Sequence, residues 1–306
     1  MKHFWAYLQE RFPLQANGVL IASYFIANYL LAGSVYLQNN LPIEISWKFI
    51  AGCLVLIFMF FHMRIIDEHK DFERDVLAYP NRVLSRGIIT LKQLKNIGIV
   101  VIFFELFFSF LFGLSAFFMC IVLLIFSWLI YKEFYIAEFL EKHLIINAFV
   151  HLLIMPLYSL YVFALVTNQF AWQSPLEVLL YAWVSYGVGF GYEVARKTRV
   201  PEDERPHVIT YSKVIGAYPS AMGVLLALVF SGGISLLVGY LLEFGWWYHA
   251  VVTFLLLVVA IGVIRFRVHT TSATAHHLQI YAGVFIFAFD ILLAVELINQ
   301  HGVMWK

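Results

Sequence analysis

Apolar runs separated by short polar stretches dominate the chain. Many of these runs reach the length of about 20 residues that lets a helix cross roughly 30 Å of hydrocarbon. The pattern predicts spans over residues 14–37, 47–64, 94–112, 115–131, 144–166, 176–195, 214–240, 247–264 and 278–298. Nine spans is the preferred reading, and the Gly232-Gly233 pair is the place where the seventh would divide. The expected fold is an all-α membrane bundle forming a single domain over residues 1–306, with no soluble regulatory domain, long linker or sequence repeat. The first apolar stretch follows scattered polar residues and has no small-residue cleavage pattern, so it is expected to be retained rather than removed as a signal peptide.

Composition sharpens this picture. Hydrophobic residues make up 62% of the chain and charged residues 13%, about half the usual charged share of a soluble domain, which argues against a soluble enzyme. The net charge of +1 offers no basic excess for nucleic acid. Cys53 and Cys120 both lie in apolar runs and supply neither a disulfide framework nor a thiolate metal cluster. Charge placement then orients the bundle, because loops on the cytoplasmic side carry the excess of Lys and Arg. With the N-terminus inside, only Lys48 and Lys306 of the 20 basic residues fall outside. An integral, multi-pass protein with its N-terminus and polar loops on the cytoplasmic side is expected.

The stretch from Arg64 to Gly87, RIIDEHKDFERDVLAYPNRVLSRG, interrupts the apolar pattern with five acidic residues. At helical spacing Glu68, Asp71 and Asp75 share a face, and Asp67 lies farther around within reach of the same cavity. Clustered carboxylates repel one another unless a cation answers them. Mg2+ takes oxygen ligands and keeps sites open for water and substrate phosphates, which makes a Mg2+-bound diphosphate one reading. The other is a solvated interfacial helix in which Lys70 and Arg74 pair with Asp67, Asp71 and Asp75.

These residues resemble the UbiA superfamily of intramembrane prenyltransferases, whose first signature has an Asn-Asp pair followed by two aspartates. Asp67 and Glu68 stand at the pair, and Asp71 and Asp75 match the later aspartates. Downstream, Asn81-Arg82-Val83-Leu84-Ser85-Arg86-Gly87 looks like the family's Asn-Arg-Pro-Leu-Pro-Ser/Arg-Gly stretch, departing at Val83 and Ser85. The resemblance implies that Asp71 and Asp75, with Glu68, hold Mg2+ against a diphosphate whose oxygens Arg82 and Lys70 contact, and that Asp67 takes the polar role of the family Asn. Such cations offset the charge developing on the leaving group. Arg82 and Arg86 also suit simple retention at the membrane interface.

The second polar loop, YEVARKTRVPEDERPHVITYSKVIG, departs from the family. The resemblance implies a second acidic signature beginning near Glu193, yet Arg196 occupies the place of a further acidic residue, and Lys197 and Arg199 follow. Val208-Ile209-Thr210-Tyr211-Ser212 is similar to the apolar and hydroxylic stretch after that signature. Glu193 either binds Mg2+ or pairs with Arg196. The three cations either contact phosphate, including that of a phosphorylated acceptor, or hold the loop on the cytoplasmic side. Tyr211 and Ser212 are candidate hydroxyl contacts, although helix entry explains them equally well.

Weaker signals come from Asn28, His151 and Tyr158, which suit interhelical hydrogen bonds, from Glu105 and Asp290, and from the interfacial His269, His276 and His277, which lack the pattern of a zinc site. No phosphate loop, dinucleotide fingerprint or nucleophile elbow is present. The resemblance therefore implies Mg2+-dependent transfer of a prenyl group from a polyprenyl diphosphate to an aromatic, polar or phosphorylated small-molecule acceptor, with membrane lipids as surroundings and no obligate protein partner. The alternatives are isoprenoid or lipid-phosphate binding without transfer, and transport.

Overall fold

The computed structural model describes residues 2–36, 41–206 and 208–306. The order is α1 (Lys2–Arg11), α2 (Leu14–Tyr36), β1 (Ile43–Ile45), α3 (Trp47–Lys70), α4 (Phe72–Ala78), α5 (Leu91–Phe112), α6 (Leu114–Tyr131), α7 (Ala137–Lys142), α8 (Leu144–His151) and α9 (Ile154–Thr167). It continues with α10 (Leu176–Arg196), α11 (Tyr211–Ile215), α12 (Ala217–Leu241), α13 (Trp246–Val268), α14 (Ser272–His301) and β2 (Val303–Trp305). Among the described residues eight segments are long and apolar enough to cross a membrane: α2, α3, α5, α6, α8 with α9, α12, α13 and α14. The last residue expected in the first span, Leu37, lies outside the described residues.

The sixth expected span is the 21-residue α10. Tyr, Ser and Glu side chains and three glycines dilute its apolarity. It packs against α9, α12 and α14 and sits inside the bundle. A Cβ on Gly187 would collide with the Ser231 hydroxyl of α12, so glycine is what lets the two backbones approach. At that crossing Ser231 Oγ donates to the Val184 carbonyl at 3.1 Å.

Two departures from the sequence pattern, at the end of α3 and within the fifth span, have identifiable reasons, and the preferred undivided seventh span holds. Helix α3 runs past residue 64 to Lys70, because Arg64, Asp67 and Glu68 satisfy one another within its last turns. Helix α12 passes unbroken through Gly232 and Gly233, and Gly232 instead receives the Leu256 side chain of α13. The fifth span divides into α8 and α9 at Leu152 and Leu153. Pro156 has no N–H to offer the Leu152 carbonyl, which accepts from Met155 at 3.0 Å instead.

Two packed cores share α2 and α9: one gathers α10, α12, α13 and α14, the other α1, α3, α5 and α6. At one end of the bundle β1 and β2 pair in parallel, Ile43 opposite Val303, and Lys306 Nζ lies 2.9 Å from Glu44. Contacts among α1, α4, α7, the 79–90 loop and the 197–210 loop gather at the other end, where the titratable residues meet.

Candidate active site

Helix α3 stops at Lys70, and Asp71 (φ −97°, ψ 4°) makes the corner into α4. Beyond the corner Asp75 returns to the side of Glu68, and both meet Arg11, which α1 delivers from the N-terminus. Arg11 Nε lies 2.6 Å from Glu68 Oε1, and its Nη2 lies 3.1 Å from Asp75 Oδ2. Glu68, 2% exposed, also takes Arg64 Nη2 at 2.9 Å, and Asp75 takes Arg82 Nη1 at 2.5 Å. The four carboxylates are thereby divided. Glu68 and Asp75 are saturated by arginines, whereas Asp67 has Arg64 at 3.8 Å and the Asp71 side chain has no hydrogen bond or ion pair among the described residues. Burial, reinforced by Asp67 and Asp75, holds the Asp71 carboxyl above its usual value although Lys70 and Arg74 act against it.

Lys70 is fixed by Glu133, a residue absent from the sequence expectation. Its ammonium lies 3.1 Å from Glu133, whose other oxygen faces His151 Nε2 at 3.3 Å. Glu133, Phe134 and Tyr135 all have positive φ, 48°, 51° and 60°, a left-handed turn that non-glycine residues rarely adopt. His151 ends α8 just before the break that Pro156 imposes. Burial acts to raise the Glu133 carboxyl, but the His151 hydrogen bond and the Lys70 charge prevail and lower it to about 2.

The Asn81–Gly87 stretch folds as a tight loop over this end, with Val83 and Leu84 buried. The Val83 N–H donates to the Glu10 carboxylate at 3.1 Å, a second tie to α1. Gly87 closes the loop at φ 69°, where a side chain would be strained. Arg82 stacks 3.5 Å over the Tyr79 ring while holding Asp75. Arg86 is exposed and pairs with no carboxylate among the described residues, so the structure does not bring it to the carboxylates.

In the second loop Glu193 faces Arg196 at 2.6 Å and Lys197 at 2.8 Å, which takes up the carboxylate expected to bind metal. Arg196 remains close enough to Asp67 for each to feel the other's charge. Ser212 Oγ accepts from the Arg199 N–H at 2.6 Å, a role in shaping the loop. Tyr211 is 1% exposed and its hydroxyl has no partner among the described residues. The Tyr7 hydroxyl is likewise buried and unpartnered, beside Glu68 and Asp67.

The remaining polar residues mainly serve packing. Asn28 donates to the Tyr24 carbonyl at 2.8 Å within its own helix, and Tyr158 reaches the Met59 carbonyl at 3.4 Å. Asp290 accepts from Tyr181 at 2.8 Å and Ser23 at 3.3 Å. Glu105 is fully buried with His62 Nδ1 at 3.5 Å.

Among the described residues no three His, Cys, Asp or Glu side chains already converge as a metal cluster. Mg2+ needs less than that, because it binds through one or two carboxylates and fills its remaining positions with water and phosphate oxygens. Asp67 and Asp71, one helical turn apart and not saturated by arginine, supply such hard donors. The unpartnered hydroxyls of Tyr7 and Tyr211 and the cations Lys70, Arg82 and Arg196 around them suit phosphate oxygens. The arrangement can bind a diphosphate and take up negative charge that develops on it.

A sequence model described as the UbiA prenyltransferase family matches residues 20–289. The fold is similar to a structure concerned with digeranylgeranylglyceryl phosphate synthase in membranes (19% identity, TM-score 0.65, 98% of this chain and 100% of that one). It is also similar to an apo UbiA homolog from Aeropyrum pernix K1 (11% identity, TM-score 0.67, covering 93% and 98%). A third similar structure is a UbiA homolog from Archaeoglobus fulgidus bound to GPP and Mg2+ (12% identity, TM-score 0.56, covering 95% and 99%). At these identities the likeness is one of fold. No curated protein sequence matches the chain significantly.

Proposed function

The chain belongs to the UbiA prenyltransferase family, and from that premise we propose that it transfers a prenyl group from a polyprenyl diphosphate to a small-molecule acceptor at the end of the bundle marked by Asp67 and Asp71. The observation that carries this reading is the division of the carboxylates, which leaves Asp67 and Asp71 unsaturated beside Lys70, Arg82 and Arg196. The Archaeoglobus fulgidus homolog bound to GPP and Mg2+ supports the choice of donor and ion.

Asp71 and Asp67 would hold Mg2+, which supplies positive charge to the diphosphate leaving group. Lys70, kept in place by Glu133, and Arg82, kept in place by Asp75 and Tyr79, contact diphosphate oxygens as charge builds on them. Tyr7 and Tyr211 donate their free hydroxyls. Glu68 and Asp75 act through Arg11, fixing α1 over the site. The prenyl C1–O bond breaks with its electron pair leaving on the diphosphate. The acceptor's nucleophile then bonds to C1, and its proton passes to water. The apolar helices take the isoprenoid tail, and the charge bias of the loops supports a cytoplasmic orientation for this end.

A second reading, phosphate binding without transfer, is favoured by Glu193, which its two basic neighbours neutralise. Incubation in lipid with Mg2+, isotope-labelled prenyl diphosphates, and aromatic and phosphorylated acceptors, resolved by mass spectrometry, separates the two. A labelled prenyl adduct is expected; donor binding with no adduct across the panel would leave the second reading.

A further inference from the structure

Beyond the carboxylates, a cavity of about 280 Å³ opens between the 197–210 loop and the first turns of α14, lined among others by Arg196, Arg199, Asp203, Arg205, His276 and Gln279. That volume suits a headgroup rather than a drug-sized or isoprenoid ligand. Three guanidiniums face one carboxylate there. Arg196 is answered by Glu193, but neither Arg199 nor Arg205 forms an ion pair among the described residues. Arg199 Nη1 reaches only the Asp203 backbone carbonyl, at 3.4 Å, and Arg205 lies over the Tyr79 ring at 4.9 Å.

The described residues of this loop are tied by their own bonds. The Thr210 hydroxyl donates to Glu204 at 2.5 Å, Lys213 Nζ donates to the Arg205 and Val208 carbonyls at 2.5 and 2.7 Å, and the Tyr211 N–H donates to the Lys197 carbonyl at 3.2 Å. The backbone that carries the arginines is thus ordered before any ligand binds. Planar guanidinium forks match tetrahedral phosphate oxygens, and an imidazole and a carboxamide complete a polar ring. Arg196 is common to both regions, since it lines this cavity and its charge is felt at Asp67. The buried, unpartnered Tyr211 hydroxyl is within charge range of Arg196 and Glu193.

We propose that this cavity is a second anion site that takes the phosphate monoester of the acceptor, so that the acceptor's nucleophile reaches the prenyl carbon across Arg196. Its role as acceptor site rests on the transferase reading, whereas phosphate binding does not. The monoester belongs either to a soluble molecule or to a lipid headgroup.

The test uses the full chain in phosphatidylcholine nanodiscs, titrated with phenyl phosphate as the soluble probe or loaded with phosphatidic acid as the lipid probe. Geranyl diphosphate with Mg2+ is titrated separately. Saturable binding of one probe is expected, and which one binds identifies the source. Arg199→Gln should weaken it about tenfold, while geranyl diphosphate binding holds. Asp203→Asn, which removes the one negative wall, should tighten it, a sign that a purely structural role does not predict. The proposal is overturned if the wild type binds neither probe, if Arg199→Gln binds as well as wild type, or if that variant loses geranyl diphosphate in parallel. Failure of geranyl diphosphate to bind the wild type would defeat the transferase reading and leave the phosphate result legible by itself.

Discussion

Arg11 shows how one residue can organise a site that its sequence position does not announce. Its side chain, 12% exposed, bridges Glu68 and Asp75, which lie far along the chain. Without Arg11, Glu68 keeps Arg64 and Asp75 keeps Arg82, so Arg11→Ala should cost about 1–3 kcal/mol, the loss of charge-assisted hydrogen bonds rather than of all compensation. Arg11→Lys should recover only part of that, because a point charge cannot fork between two carboxylates. Thermal unfolding in micelles measures both, and an unchanged midpoint for Arg11→Ala would show the bridge to be incidental. Glu133 gives a pH signature. Its folded carboxyl is lowered from 4.5 to about 2, so its stabilisation is complete above pH 4.5 and is lost as pH falls towards 2. The Glu133→Gln variant should lack that loss, so the wild-type stability advantage should shrink over this range. A constant difference between the two proteins would contradict the assignment. The spacing of acidic residues made the carboxylate cluster legible. Their partner Arg11 was not, nor was the Glu133 that holds Lys70, because these pairings depend on how α1 and the 133–135 turn fold back.

Among the helices, apolar run length located the spans well, and departures came where a local interaction outweighed hydropathy. Glycines in α10 made it look less apolar while serving its burial, and the Gly232-Gly233 pair marked a close approach to α13 rather than a break. Pro156 does break a helix, and the break sets His151 at the end of α8. The left-handed turn at Glu133 carries a strain of about 1–2 kcal/mol per residue, and no residue type there signals it. The α10–α12 crossing makes a direct prediction. Gly187→Leu places a side chain where the Ser231 hydroxyl sits and should destabilise the protein by about 1–3 kcal/mol. Gly233→Ala, which meets open space, should be close to neutral. Equal melting shifts for the two would mean that the crossing is looser than described.

At the scale of the molecule, the bundle sorts its charge: Lys48 and Lys306 lie near the β1–β2 end, and Arg11, Arg64, Lys70, Arg82 and Arg196 gather at the other. That sorting was readable from loop charges alone. If it sets orientation, Glu202→Cys should react with an impermeant maleimide only from the cytoplasmic face and Lys306→Cys only from the opposite face; the reverse pattern would invert the topology. The family was legible in the 67–87 stretch, while the closing of the second loop around Glu193 was not, since a Glu-Arg spacing fits a metal ligand and an ion pair alike. Prenyl transfer by this chain rests on chemistry at Asp67 and Asp71, and diphosphate release tests it most directly. The protein in lipid should release diphosphate from a labelled prenyl diphosphate in the presence of acceptor and Mg2+, with release abolished by EDTA and by Asp71→Ala. Release that persists in EDTA, or that Asp71→Ala leaves at the wild-type rate, would contradict it.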